Sequence, residues 1–178
     1  MLYMFLAEGF EETEAIGSLD VIRRAGIDIK TVGVADKCVY GSHGVGVMAD
    51  ILLSDVTYDD MDGVILPGGM PGTTNLAECA KVVEAVKYCY DNDKMIAAIC
   101  AAPMIFGQLG MLRGKGATCY PGFEKYLDGA KVCPDMVVCD GNVITGKGAG
   151  AAMLFGAAVA DYFDTGKGGE ILKQMQHS

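Results

Sequence analysis

The sequence predicts an α/β protein in which helices cover both faces of a mostly parallel β-sheet, giving three layers. Short runs that are apolar throughout, such as Leu2–Ala7 and Met95–Ile99, are typical of strands buried on both faces. These runs alternate with stretches of helical periodicity, which is the order found in parallel sheets with crossover helices. The chain has 178 residues, of which 51% are hydrophobic, and we therefore expect one domain over residues 1–178.

The first elements follow from the spacing of apolar residues. Leu2–Ala7 forms the first strand. Ile27–Val34 is rich in β-branched residues and predicts a second strand, and the glycine-broken segment Tyr40–Met48 predicts a hairpin. Between the two strands lies a helix that ends near Gly26. Its expected apolar positions are Ala15, Ile16, Leu19 and Ile22.

The middle of the chain continues the alternation. Val64–Leu66 predicts a short buried strand, and the glycine-rich segment Gly68–Asn75 predicts a loop. Met95–Ile99 is an all-apolar strand, and Ala101–Leu109 predicts the helix after it. A further helix lies between this loop and this strand. Its apolar face consists of Val82, Val83, Val86 and Tyr90.

The C-terminal part predicts two more strands and two helices. Lys115–Cys119 and Val137–Ile144 have strand character, and the second carries a turn at Asp140–Asn142. Ala149–Phe163 predicts the last long helix, and the amphipathic segment Glu170–Met175 is expected to pack on the body of the domain.

The charge balance excludes several classes of partner. Lys and Arg total 14 and Asp and Glu total 23, giving a formal net charge of −9. Nucleic acids and anionic membrane surfaces require a basic face, so neither is an expected partner. The longest apolar stretches, Met95–Phe106 and Ala149–Ala160, fall short of the ~20 residues of a membrane span. Seven cysteines without a C-x-x-C pair, and no secretion signal, predict reduced thiols and a cytoplasmic location.

Cys100 is the strongest candidate for a reactive residue. It stands where the strand Met95–Ile99 turns directly into a helix between small residues, which is the pattern of a nucleophile elbow. Amides at a helix N-terminus stabilise a thiolate, so we expect a pKa below that of a free thiol. The alternative is that Cys100 is a small, inert core residue. The other six cysteines lack such a position, and Cys119 is the least easily dismissed of them.

Other parts of the chain can complete a site around Cys100. Glu14 is followed by apolar residues and can turn inward to share a proton with the thiol, or it can be a solvated first-turn acid that complements the helix dipole. The segment Pro67–Gly69 follows a strand, and an N–H within it can point, together with that of Ala101, at a developing oxyanion. A plain tight turn is the alternative for this segment.

Metal and nucleotide sites are not indicated. The two histidines, His43 and His177, do not lie at ligand spacing from other donors, so we expect no metal. The segment Gly146–Gly150 lacks the glycine spacing and the Lys-Ser/Thr ending of a phosphate loop, so we expect no nucleotide cofactor.

Three motifs in this order resemble the ThiJ/PfpI superfamily, and within it the Parkinsonism-associated deglycases and their bacterial relatives. They are Ala7–Glu14, Leu66–Gly69 and Ala97–Pro103, and the resemblance extends from Leu2 to about Phe163. It implies a flavodoxin-like sandwich, a homodimer and an oxidation-prone nucleophilic cysteine. It also implies that Cys100 is the nucleophile, Glu14 its hydrogen-bonding carboxyl group, and Gly69 and Ala101 the backbone oxyanion donors.

The chain departs from the family pattern at several positions. Ala101 stands where the protease branch has His, which argues against a peptidase, and Ala102 replaces the more usual Gly. Tyr120 stands before Pro121 where the deglycase group has His; a phenol is a poor general base near neutral pH but can donate a hydrogen bond. Near the site, Lys147 and His43 stand at positions where the family often carries Arg.

The leading hypothesis is a cysteine-dependent, cofactor-free enzyme acting on small reactive carbonyls or on their adducts with protein, like a glyoxalase or deglycase. A different class of function is a non-enzymatic oxidative-stress sensor or chaperone, in which oxidation of Cys100 alters a partner interaction. A peptidase or amidohydrolase is the third hypothesis. Fold alone does not select among them.

Overall fold

A computed structural model describes residues 1–177 as eleven strands and six helices. The strands are β1 (Leu2–Leu6), β2 (Ile29–Gly33), β3 (Cys38–Tyr40), β4 (Gly46–Met48), β5 (Ile51–Leu52), β6 (Gly63–Leu66), β7 (Met95–Ile99), β8 (Gly116–Ala117), β9 (Lys131–Val132), β10 (Val137–Asp140) and β11 (Val143–Gly146). The helices are α1 (Glu12–Arg24), α2 (Gly72–Glu78), α3 (Ala80–Asp91), α4 (Pro103–Gln108), α5 (Ala152–Phe163) and α6 (Lys167–Gln174).

Seven strands form the central sheet, in the order β10-β11-β7-β6-β1-β2-β5. All neighbours are parallel except β10, which pairs antiparallel with β11 after the predicted Asp140–Asn142 turn. The predicted α/β class with a mostly parallel sheet is confirmed. Two small sheets lie beside it: the predicted hairpin, formed by β3 and β4, and the parallel pair β8–β9.

Side-chain alternation along the strands builds two separate cores. In β1, Tyr3 and Phe5 face the layer of α2, α3 and α4, where they pack near Phe106. Leu2, Met4 and Leu6 face the opposite layer of α1 and α5. Because both sets are buried, the strand is apolar throughout, as the sequence indicated. The structure is therefore a three-layer sandwich.

Several boundaries differ from the sequence-based expectation. Ile16 was expected on the buried face of α1 but is 40% exposed, because Ala15, Leu19 and Ile22 already form the buried stripe and Ile16 lies beside it. The loop predicted for Gly68–Asn75 ends early, since α2 begins at Gly72. Lys115–Cys119 contributes a two-residue strand outside the central sheet.

The C-terminal segment packs on the body, as predicted. Helix α6 lies against α5 and α1, and its Ile171 is buried with Val21 and Ala157. Of the helices between residues 1 and 177, none combines the length and the apolar character that crossing a bilayer requires.

Candidate active site

Four neighbouring strands place their carboxyl ends at one edge of the sheet. They are β11, β7, β6 and β1, and the loops that follow them contain the segments in which the sequence predicts the site. In open α/β sheets this edge is where ligands bind. The fold therefore brings residues that are far apart in the chain, such as Glu14 and Cys100, 86 positions apart, to one edge of the sheet.

Cys100 occupies the turn between β7 and the helical region that leads into α4. Its φ is +66°, in the left-handed region that non-glycine residues rarely adopt. Two backbone hydrogen bonds hold the turn: the Cys100 N–H donates to the Gly146 carbonyl (2.9 Å), and the Tyr120 N–H donates to the Cys100 carbonyl (2.8 Å). The predicted elbow is thus present, and its side chain is partly exposed.

Glu14 turns inward from the first turn of α1 and is only 1% exposed. Its carboxyl group is hydrogen-bonded to the Cys100 side chain, and its Oε2 accepts the Gly68 N–H at 2.8 Å. Gly68 is confined between them, because a Cβ there would lie 2.5 Å from the Cys100 Cβ and 2.6 Å from the Glu14 Oε2. A glycine at position 68 therefore allows the carboxyl group and the thiol to meet.

Glu14 and Cys100 compete for one proton. Burial, and to a lesser extent the charge of Glu11, raise the pKa of Glu14 from 4.5 to about 7 against the hydrogen bonds that it accepts. Burial and the Glu14 carboxylate raise the pKa of the Cys100 thiol to about 12, whereas the N–H groups of Gly69 and Ala101 lower it. The expectation of a lowered thiol pKa is therefore wrong while Glu14 is charged. A thiolate is favoured when Glu14 keeps the proton, because the repulsion between two negative charges is then absent.

The two predicted oxyanion donors both point at the sulfur. The backbone N–H groups of Gly69 and Ala101 are hydrogen-bonded to the Cys100 side chain. Gly69 has a φ of +89°, and a Cβ on it would lie 2.4 Å from the Glu11 nitrogen, so both its conformation and its packing require glycine. An anionic oxygen formed on a carbon bound to this sulfur would develop beside two N–H groups.

Glu11 and Glu12 have separate partners at the start of α1. The Glu11 Oε2 caps the helix by accepting the Glu14 N–H at 2.7 Å. The Glu12 Oε2 lies 2.8 Å from the His43 Nδ1 in the β3–β4 loop. Ligand atoms of Glu11, Glu12 and His43 lie within 4.8 Å of one another, a grouping that local sequence spacing did not indicate. Both Glu12 oxygens accept or share hydrogen bonds with His43, so Glu12 and His43 form an ion pair with Glu11 beside it.

Tyr120 and Lys147 lie beside the elbow rather than on the sulfur. The Tyr120 ring is 51% exposed and lies against the backbone of Gly148. The Lys147 Nζ donates to the Pro134 carbonyl at 3.0 Å, and its stem lines a surface cavity together with Cys119. Of the seven residues that the sequence singled out, four lie together at the sulfur: Cys100, Glu14, Gly69 and Ala101. Tyr120 and Lys147 lie beside the elbow, and His43 contacts Glu12.

Comparison with known proteins identifies the family and the fold. The model of the DJ-1/PfpI family matches residues 1–161. The chain belongs to the DJ-1/PfpI family. It is 39% identical over 159 residues to Protein DJ-1 homolog B of Arabidopsis thaliana, covering 88% of this chain and 36% of that protein. The chain thus spans little more than a third of the length of that relative.

Two further relatives match over most of both chains. This DJ-1/PfpI family member is 32% identical over 161 residues to the Glutathione-independent glyoxalase DJR-1.2 of Caenorhabditis elegans, covering 90% of this chain and 86% of that protein. The crystal structure of Drosophila melanogaster DJ-1beta superimposes with a TM-score of 0.93 at 34% identity, covering 99% of this chain and 97% of that chain. The resemblance inferred from three motifs, and the flavodoxin-like fold, are confirmed.

Sequence reasoning missed two contributors to the site of this DJ-1/PfpI chain. Gly68 was treated as part of a flexible turn, yet its N–H holds the Glu14 carboxyl group. Its position directly before Gly69 was the available signal. The pairing of Glu12 with His43 had no such signal, because 31 residues separate them and the hairpin alone brings them together.

Proposed function

We propose that this protein is a cytoplasmic enzyme that needs no cofactor. It uses Cys100 to convert small reactive carbonyls, such as methylglyoxal, to hydroxy acids. The hydrogen-bonded pair of Cys100 and Glu14, with the N–H groups of Gly69 and Ala101 on the same sulfur, carries the proposal. Cys100 supplies a nucleophile and Glu14 a proton carrier, and the two N–H groups supply an oxyanion site next to the same sulfur. The name of the Caenorhabditis elegans relative supports the choice of substrate.

The geometry supports a balanced sequence of steps. The thiolate of Cys100 adds to the aldehyde carbon, and the new oxyanion lies beside the N–H groups of Gly69 and Ala101. Glu14 first gives its proton to this oxyanion and, as a carboxylate, then moves a proton from the former aldehyde carbon to the neighbouring carbonyl carbon. The hydroxyl proton passes from the hemithioacetal oxygen to the former ketone oxygen, so the hemithioacetal becomes its isomer, a thioester. Water hydrolyses the thioester and releases lactate and the thiol. The sum is methylglyoxal plus water to lactate, so no external oxidant or reductant is needed.

The direct test is lactate formation from methylglyoxal in the absence of glutathione. We expect turnover by the untreated protein and a loss of turnover that parallels the fraction of Cys100 blocked by iodoacetamide, measured by mass spectrometry. Protein that blocks fully at Cys100 yet keeps its turnover would contradict the assignment. The same assay on a glycated peptide, with release of lactate or glycolate as the readout, tests the extension to protein adducts.

An oxidant sensor is the second candidate, and Tyr120 favours it. A phenol replaces the histidine that the resemblance implies as an additional proton acceptor, while the elbow leaves the thiol partly exposed. In this reading a peroxide oxidises Cys100 and is itself reduced to water or an alcohol. Absence of lactate formation, together with selective oxidation of Cys100 by dilute peroxide, would favour this second candidate.

We predict that Cys100 is the most reactive thiol at pH 6. Below the pKa of Glu14 its carboxyl group is protonated, so it does not repel a thiolate at Cys100, whereas at higher pH the Glu14 carboxylate opposes that thiolate. Brief substoichiometric iodoacetamide followed by peptide mass spectrometry measures the preference. We expect it to weaken at pH 8.5. Earlier labelling of any other cysteine at pH 6 would contradict the site.

We also propose a homodimer, with α1 and the β3–β4 hairpin as the contact surface. Met48 is 67% exposed, and Ile16, Tyr40 and Val45 are exposed on the same two elements. Burying such large apolar side chains in a partner removes them from water. Sedimentation at micromolar concentration should show a dimer, and Met48→Asp should shift it towards the monomer. A single species near 18.7 kDa for the unsubstituted protein would refute the proposal.

A further inference from the structure

The loop between β3 and β4 is fastened to the start of α1 by one carboxylate. The Glu12 Oε1 accepts the His43 N–H at 2.7 Å, and its Oε2 lies 2.8 Å from the His43 Nδ1. Gly41 makes room for this group, because a Cβ there would lie 2.3 Å from the Glu12 Cδ. The imidazole is thus held in one orientation although most of its surface is exposed.

His43 binds the start of α1, and the same segment supports Cys100 and Glu14. On its other side the Glu11 N–H donates to the Gly68 carbonyl at 2.8 Å, and Gly69 packs on the Glu11 nitrogen. The Glu11 carboxylate in turn caps the Glu14 N–H. A hydrogen-bonded path therefore runs from His43 through the first residues of α1 to both Glu14 and the loop that carries Gly69.

Charged groups of opposite sign lie next to one another along this path. The His43 Nδ1 lies 4.0 Å from the Glu11 Oε1, and Glu11 is the neighbouring carboxylate whose charge acts on Glu14. Burial would raise the pKa of Glu12, but the hydrogen bonds from His43 and from backbone N–H groups outweigh it and lower the pKa to about 2. The hydrogen bond and the charge of Glu12, followed by the charge of Glu11, raise the pKa of His43.

We propose that His43 is a positioning residue for Cys100 and Glu14: its imidazolium, fixed by Glu12, offsets the charge of Glu11 and so favours release of the proton that the pair shares. This inference rests on the proposed function only in taking Cys100 and Glu14 as the reacting groups. The charged groups that face His43 are Glu11 and Glu12 from α1, and those that face Glu14 are Glu11 and Cys100. The imidazole of His43 contacts Ser42, Glu12 and Glu11, and these hydrogen bonds and ion pairs do not include the Cys100 sulfur or the Glu14 carboxyl group.

The test compares His43→Gln with His43→Arg. Gln keeps a hydrogen-bonding side chain without charge, and Arg keeps the charge. The readout is the rate of Cys100 alkylation by iodoacetamide at pH 6, followed by peptide mass spectrometry, which does not depend on any carbonyl-converting activity. Arg113→Gln serves as the matched control, since it removes one positive charge from an exposed ion pair elsewhere.

In low salt we expect His43→Gln to alkylate about two- to fivefold more slowly than the unsubstituted protein, the scale of one exposed charge interaction. The difference should vanish in 1 M salt, where the Debye length is about 3 Å. His43→Arg and Arg113→Gln should keep the original rate. An unchanged rate in His43→Gln, a deficit that persists in 1 M salt, or a slow His43→Arg would each overturn the proposal. If the alkylation rates follow this expectation but the unsubstituted protein forms no lactate from methylglyoxal, the result counts against the proposed function and not against the role of His43.

Discussion

Cys100→Ser is expected to reduce lactate formation from methylglyoxal by on the order of 10⁴–10⁶-fold, the scale seen when the nucleophile of a covalent mechanism is removed. Serine is close in size to cysteine and meets the same N–H groups of Gly69 and Ala101. Its hydroxyl group does not ionise near neutral pH, so no strong nucleophile forms. The measurement is enzymatic detection of lactate at saturating methylglyoxal.

Cys139→Ser is the matched control, because it makes the same chemical change at an exposed cysteine of β10. Its turnover should equal that of the unsubstituted protein, and both variants should unfold at the same urea concentration within error. Substantial lactate formation by Cys100→Ser would mean that the chemistry does not pass through this sulfur.

Glu14→Gln is expected to lower turnover by about 10²–10⁴-fold, as befits loss of a general acid and base. The amide keeps an oxygen for the Gly68 N–H and a donor for the Cys100 sulfur, so the geometry is retained while the titratable proton is lost. Alkylation of Cys100 should change in the opposite direction. Without a neighbouring carboxylate the thiolate forms at lower pH, so alkylation at pH 9 should become faster.

The stability of Glu14→Gln provides an independent readout. The pKa of Glu14 is raised from 4.5 to about 7 on folding, so the folded protein binds more protons than the unfolded chain between these values. Stability from this group is present below about pH 4.5 and is lost as the pH rises to 7, by about 3 kcal/mol at ~1.4 kcal/mol per pKa unit. At pH 8 Glu14→Gln should therefore be more stable than the unsubstituted protein in urea, and at pH 4.5 the two should be equal.

Glu8→Gln is the control, because this exposed carboxylate accepts the Tyr40 N–H and does not contact Cys100. It should leave turnover and the alkylation profile unchanged. If Glu14 acted through the helix dipole alone, Glu14→Gln would lose about 0.3–1 kcal/mol of stability and leave the Cys100 chemistry unchanged. Superimposable alkylation profiles for Glu14→Gln and the unsubstituted protein would exclude Glu14 from the site.

The sequence was sufficient for features that depend on neighbours along the chain. The position of Cys100 at the turn after a strand followed from an apolar run that ends beside small residues. The apolar pair after Glu14 allowed an inward turn but did not exclude a solvated acid, and only the family resemblance favoured the inward turn. The two cores followed from unbroken apolar strands. Each of these is fixed by periodicity over a few residues.

Features set by tertiary packing could not be predicted. Helix α2 starts inside a glycine-rich stretch because the Gly72 backbone packs directly on Gly9, a contact that local propensity does not encode. The raised pKa of the Cys100 thiol depends on burial and then on the Glu14 carboxylate, which lies 86 positions away in the chain. The direction of Lys147 depends on the carbonyl of Pro134, which only the folded loop presents.

The left-handed backbone at Cys100 has a consequence for how this position responds to selection. A side chain at φ +66° costs on the order of 1 kcal/mol of backbone strain relative to glycine, so backbone strain alone favours Cys100→Gly. A library of random variants sorted by thermal resistance should therefore become enriched in glycine at position 100, whereas sorting by carbonyl detoxification should retain cysteine. At position 100, backbone conformation therefore favours glycine, whereas the proposed chemistry requires cysteine.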